Sequence, residues 1–348
     1  MKYVINPTCI ECGDILIEKN PEDRAIIEAT NCEYTHAVLC DSYPTAYEAS
    51  GFGVTEISLY ARHYDSPDDV ILLRPNDFPD KTRLLIYLTA FVKELFGTRY
   101  GTREARRMEN ERPDVAVTPN RQICTRLVSQ AYDRIGIKLV DNVDYPLITE
   151  LLNSDKLSRV QNFLHVATPE DLQIVSEGNP GLDEFPFFMD TILSHARELY
   201  EGKDIQSIAQ LVQIAYKYAK DKEYKEKDVS MEGYLRENGY FLSVESEIER
   251  DPHLYDFDEF MKYTDIVFGD LGKEKLISKR LALATINAEK IARECQMQKN
   301  DAHELDLYCR EVESTLIEAL RDNALNRMEL NEKRLAVKHQ ILKHYGLE

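Results

Sequence analysis

No stretch of this sequence is apolar for long enough to cross a bilayer. The longest nearly continuous run, LLIYLTAFV from Leu84 to Val92, is roughly half the ~20 residues a spanning helix needs, so no membrane span is expected. Basic charge is also short. The chain carries 43 Lys and Arg against 62 Asp and Glu, a formal net charge of −19, and the acidic excess is spread over both halves. A phosphate backbone demands a basic surface, so no nucleic-acid partner is expected. The opening MKYVINPTCIECGDIL sets a proline, two cysteines and acids where a secretory leader would carry its apolar core. A cytoplasmic protein is the expectation.

The seven cysteines are an odd number at irregular spacing, which fits free thiols in a reducing compartment better than a disulfide framework. Cys9 and Cys12 form a lone CxxC, with no second CxxC or HxxxH at zinc-ribbon distance. Neither a metal nor a cofactor is expected. Fixed-period repeats and low-complexity tracts are missing as well, which excludes solenoid and array architectures.

What is present is globular usage, with 43% hydrophobic and 30% charged residues over 348 positions, a length that favours two domains. The first hundred residues read as an antiparallel meander: GDILIEK, THAVLC, AYEAS, VTEISLYA and DDVILLRP are short, rich in β-branched and aromatic residues, and divided by turn formers. TRLLIYLTAFVKELFG, residues 82 to 97, is apolar nearly all round and predicts a helix buried between layers. NRQICTRLVSQAYDRIG places Cys124, Leu127, Val128, Ala131, Tyr132 and Ile135 on one helical face, with Asn120 as N-cap and Gly136 as stop. Strand signals fade beyond Gly178 to Gly181, and the rest of the chain reads as amphipathic, charge-laced helices. The expected class is α+β, with domains at 1–180 and 181–348.

Chemistry concentrates at YTHAVLC, residues 34 to 40, where one histidine stands in an apolar strand. If THAVLC and AYEAS fold about Ser42, His36 faces Glu48 directly across the ladder. A carboxylate there fixes the tautomer of the ring and leaves one nitrogen for a proton. The third member would be Cys124, near the start of a predicted helix, where free N–H groups and the positive dipole end favour thiolate. Each residue alone has an ordinary reading: a core thiol, a satisfied strand histidine, a solvated cross-strand acid. Together they describe nucleophilic catalysis of the Cys, His and third-residue kind.

The segments GDIL, ATNCEYTHAVLC, YEASGFGVTEISL, VILLRP, ICTRLVSQAY and VATPEDL, over residues 13 to about 175, together resemble the YiiX-like branch of the circularly permuted papain-like hydrolases of the NlpC superfamily. The resemblance implies a permuted papain-like domain, an antiparallel sheet packed with helices, followed here by an all-α domain. It assigns His36 as base, Glu48 as orienting residue and Cys124 as nucleophile, and the Cys124 N–H, free at the helix start, is the expected oxyanion donor. Tyr34, two residues before the histidine, matches an aromatic that would steady the oxyanion or close the pocket, unless it is there for strand propensity alone. Where the family often carries an acid two residues after the cysteine, this chain has Arg126, a departure that would bear on partner or substrate.

The leading expectation is therefore a cysteine hydrolase that cleaves an amide in a peptide-like, cell-wall-type substrate through an acyl-enzyme. The alternative keeps the triad and changes the acyl donor to a lipid ester, as phospholipase or acyltransferase, in the manner of lecithin:retinol acyltransferase-like relatives. That reading wants exposed apolar surface near the cleft, which the 84–92 helix would have to supply. A third possibility is a non-catalytic scaffold that engages a protein partner through the helical half.

Overall fold

The computed structural model describes residues 1–20, 24–42, 44–59, 62–76, 81–105, 121–177, 180–201, 203–241, 243–268 and 273–346. The chain is mixed α+β. Its strands are β1 (Tyr3–Ile5), β2 (Ile15–Lys19), β3 (Tyr34–Ser42), β4 (Thr45–Ser50), β5 (Gly53–Ser58), β6 (Val70–Pro75), β7 (Leu157–Val160) and β8 (Leu164–Val166). β1 and β8 form a small sheet of their own, and the other six make an antiparallel sheet ordered β5-β4-β3-β2-β6-β7. The expected meander holds from β2 to β5. Then β6 returns to the far edge of β2 and pairs along it, Ile15 with Leu73 and Ile17 with Ile71. The run Ile15, Leu16, Ile17 is fully buried, and an unbroken apolar run marks a strand covered on both faces.

Helices α1 (Arg24–Thr30), α2 (Lys81–Glu94), α3 (Thr102–Ala105), α4 (Cys124–Arg134), α5 (Ile148–Leu152) and α6 (Pro169–Glu177) interrupt or follow these strands. Ile15, Ile17, Ala37, Leu39, Tyr47 and Ala49 pack with Leu88 and Val92 of α2 and with Leu127, Val128, Ala131 and Tyr132 of α4. Helix α2 is not buried all round: Leu88 and Val92 are inaccessible while Tyr87 is 51% exposed. Helix α4 starts at Cys124, later than an N-cap at Asn120 would place it. The residues ahead of it are held extended, because Gly101 N–H donates to Gln122 O (2.7 Å) and Gln122 N–H to Arg99 O (2.9 Å). Ile123 is consequently the N-cap, and Asn120 lies outside the described residues.

Helix α7 (Pro180–Leu199) opens the helical region, followed by α8 (Ile208–Tyr218), α9 (Lys222–Glu237), α10 (Val244–Arg250), α11 (Phe257–Phe268), α12 (Lys273–Glu311) and α13 (Thr315–His344). The chain forms two compact units, Met1–His195 with Asp204–Ile208, and Ala196–Lys203 with Ala209–Glu348. The division runs through the end of α7 rather than ahead of it, so the helix begun at Pro180 starts within the first unit. In the second unit α12 and α13 pack along each other. The start of α13 is pinned by Asp228 of α9, which accepts from Ser314 Oγ (2.9 Å), Thr315 Oγ1 (3.2 Å) and the Leu316 N–H (3.2 Å). Among the described residues no helix is long and apolar enough to cross a membrane.

Candidate active site

Strand β3 supplies the histidine, β4 the carboxylate and the first residue of α4 the thiol. The β3–β4 register sets Val38, not His36, directly opposite Glu48, with an irregularity between Cys40 and Ser42. His36 and Glu48 are therefore diagonal neighbours, two residues off the expected register and still on one face. A diagonal pair is within reach of a glutamate side chain, and His36 Nε2–H donates to Glu48 Oε2 at 2.9 Å.

Cys124 is 5% exposed, and its Sγ lies 4.0 Å from the Thr35 main-chain oxygen. Burial raises its pKa. Hydrogen bonding and charge interaction with His36, together with the N–H groups of Ala37 and Thr125, outweigh that and hold it below the ordinary thiol value. The imidazole responds in the opposite sense: burial lowers its pKa, but Cys124 and Glu48 push it up to about 10. With Nε2 committed to Glu48, Nδ1 is the nitrogen left for the sulfur. Glu48 is itself pulled down to about 2, burial being overcome by His36 and Arg62. All three shifts run in the direction that favours charge on the sulfur, the imidazole and the carboxylate in series. Among the described residues no side chain caps the start of α4, which leaves first-turn N–H groups open to the sulfur.

Two side chains without an assigned role complete this cluster. Arg62 Nη2 donates to Glu48 Oε2 at 2.6 Å while its Nη1 is 3.4 Å from Glu18 Oε2. Glu18 stands directly across the β2–β3 ladder from His36 and accepts from Tyr64 Oη at 2.6 Å. A charged residue closing the ILIE run was a signal for Glu18. Arg62 had none, because it lies in the connection between β5 and β6.

Tyr34 does not share the face of His36. On β2, Glu18 pairs with His36 and the very next residue, Lys19, pairs with Tyr34, so β3 carries Thr35 as an extra residue and the side-chain alternation flips there. Tyr34 accordingly lies under Lys19 Nζ, 5.2 Å from its ring centroid, and donates its hydroxyl to Asp68 O at 3.1 Å. Arg126 is not available to a partner or substrate either. It is 1% exposed, paired with Glu104 of α3 at 2.7 Å, bonded to Asp144 O at 2.6 Å and stacked 4.7 Å from the Tyr145 ring. It fastens the first turn of α4 to the segment before it.

Cys9 and Cys12 are free thiols, directed to Asn162 O (3.8 Å) and Asp41 Oδ1 (3.3 Å) respectively. No set of three or more His, Cys, Asp or Glu among the described residues is placed to hold a metal ion. No protein-family model and no curated protein matches the chain.

Proposed function

We propose that the protein is a cysteine hydrolase of the permuted papain-like kind. Its substrate is the amide of a peptide-like molecule, which Cys124, His36 and Glu48 cleave through an acyl-enzyme. The observation that carries this reading is the placement of a thiol at the first residue of a helix, partnered by an imidazole that a carboxylate holds at 2.9 Å. The thiolate attacks the carbonyl carbon, and the oxyanion that forms is stabilised by the Cys124 N–H. Imidazolium then gives its proton to the leaving amine as the C–N bond breaks. In the second half, neutral His36 takes a proton from water, hydroxide adds to the thioester, and the thiol leaves as thiolate while the ring stays protonated. Glu48 remains ionised throughout and keeps Nδ1 aimed at the sulfur.

The lipid-ester reading is favoured by one observation. Phe52, in the turn that follows Glu48's strand, is 62% exposed and sits edge-on to Phe187, also 62% exposed, with centroids 5.2 Å apart. Among the described side chains of α2, Leu85, Leu88 and Val92 are buried and Tyr87 is exposed. The test is turnover of short peptide amides against phospholipid esters by wild type and Cys124→Ala. Amide cleavage lost in Cys124→Ala supports the proposal. Ester cleavage alone moves it to the second reading, and neither activity, with an ordinary thiol titration at Cys124, overturns both.

A further inference from the structure

A second carboxylate is paired across the sheet with the strand position of the imidazole. Glu48 binds it diagonally from β4, and Glu18 stands squarely opposite it on β2. Only one of them can hold the ring with Nδ1 on the sulfur. Between them lies Arg62, one guanidinium nitrogen on each: Nη2 on Glu48 at 2.6 Å and Nη1 by Glu18 at 3.4 Å. Glu18 is fixed from behind by Tyr64 Oη, and Tyr64 is itself locked by main-chain bonds in both directions with Tyr3, 2.8 and 2.9 Å. The guanidinium fork is suited to this task because its donors are rigid and separately directed.

We infer that Arg62 is a positioning residue that selects which carboxylate holds His36: it engages Glu18, keeps that group off the ring and turns Glu48 Oε2 toward Nε2. The inference rests on the cysteine hydrolase reading and extends it. Without Arg62 the two acids repel each other and compete for the imidazolium, and a ring drawn across to Glu18 leaves the thiol without its partner. Among the described residues, the titratable groups around the ring are Glu48 from β4 and Cys124 from α4, which act on it directly, Glu18 across the ladder on β2, and, from the β5–β6 connection, Arg62 on both acids and Tyr64 on Glu18. Cys40, on the same face of β3, stays an uncharged thiol, because burial, with Asp14, Glu18 and Asp41 nearby, pushes its pKa well up.

The experiment follows alkylation of Cys124 by iodoacetamide, read by peptide mapping, across pH in wild type, His36→Ala, Arg62→Met, Glu18→Gln and the Arg62→Met/Glu18→Gln double variant. Arg62→Met is expected to cut Cys124 labelling at low pH about tenfold, the effect of displacing a catalytic group by a fraction of an ångström. Glu18→Gln in that background is expected to restore most of it, because the competing charge is gone. A purely structural arginine would show no such rescue. An unchanged profile in Arg62→Met, or a double variant no better than the single, overturns the inference and leaves the hydrolase reading standing. A wild-type profile with no His36-dependent low-pH limb overturns both. If Arg62→Met does not fold, Arg62→Lys takes its place. One ammonium keeps the charge and cannot direct separate donors at both acids, so a smaller loss, again relieved by Glu18→Gln, is expected, and no relief refutes it.

Discussion

Glu48→Gln removes one charge from the site and keeps the shape of the side chain, and the amide oxygen can still accept from Nε2–H. Its effect should therefore be electrostatic. A carboxyl held at about 2 instead of 4.5 stands for about 3 kcal/mol of interaction, contributed by His36 and Arg62. If half belongs to the ring, the imidazolium loses about 1.5 kcal/mol of support, and the equilibrium that forms thiolate and imidazolium falls about tenfold. The apparent thiol pKa of Cys124 should rise by about one pH unit. The assay is mapped alkylation at Cys124 against pH, since six other free cysteines would blur a bulk measurement. Among them Cys295 is pushed up to about 11, by burial and by Glu332 and Glu294, and serves as an internal unreactive reference. A titration at Cys124 that superimposes on wild type, or moves to lower pH, would refute the reasoning, because it would mean that the carboxylate is not coupled through the ring to the sulfur.

Three further outcomes follow from the same geometry. Stability should fall in acid. Glu48's folded pKa is depressed, so its contribution of about 3 kcal/mol is complete above 4.5 and lost as pH drops toward 2. Melting curves between pH 5 and 2 should show a component that Glu48→Gln lacks. Arg126→Met should destabilise by about 3–5 kcal/mol because it removes the guanidinium paired with buried Glu104, and Arg126→Met with Glu104→Leu should recover most of that. Denaturant unfolding checks both, and a double variant no more stable than the single contradicts the account. Gly53→Ala should cost about 1–3 kcal/mol. Gly53 has φ +92° and a Cβ there would sit 2.6 Å from the Thr98 main-chain oxygen, the acceptor of Val54 N–H at 2.9 Å. A melting temperature unchanged from wild type would refute that placement.

The positions of the β2 to β6 strands were legible because their apolar and β-branched runs are short and end at turn formers, and local chemistry alone decides that. What it does not decide is who pairs with whom. The return of β6 to β2 is a long-range choice, visible only as the unbroken Ile15, Leu16, Ile17 run that demands cover on both sides. The start of α4 illustrates another limit. An N-cap at Asn120 would start the helix ahead of Cys124, but main-chain bonds from Arg99 and Gly101 to Gln122 hold the preceding residues extended. The same late start makes Cys124 the first helical residue, with first-turn N–H groups around its sulfur. Arg126 was read from a family pattern as a contact for something outside, whereas its partner Glu104 comes from a four-residue helix with no periodic signature.

Side-chain alternation explains why the His36 and Glu48 pairing survived an incorrect register while Tyr34 was misplaced. Folding the hairpin about Ser42 set His36 opposite Glu48, and the observed ladder sets Val38 there. That slip of two residues carries every side chain back to its original face, so an imidazole and a carboxylate with enough reach still meet. Thr35 is a slip of one, and one residue is enough to turn Tyr34 to the opposite face. Alternation in the sequence fixes which face a residue occupies only up to the next bulge, and bulges leave no mark in composition. A catalytic pair inferred across a hairpin is therefore safe against even slips and exposed to odd ones. Here the irregularity between Cys40 and Ser42 lies between the turn and the pair and shifts the register by one, from Ser42 with Thr45 to Cys40 with Ala46, so the shared face of His36 and Glu48 depends on it, while the extra residue at Thr35 lies on the other side of His36.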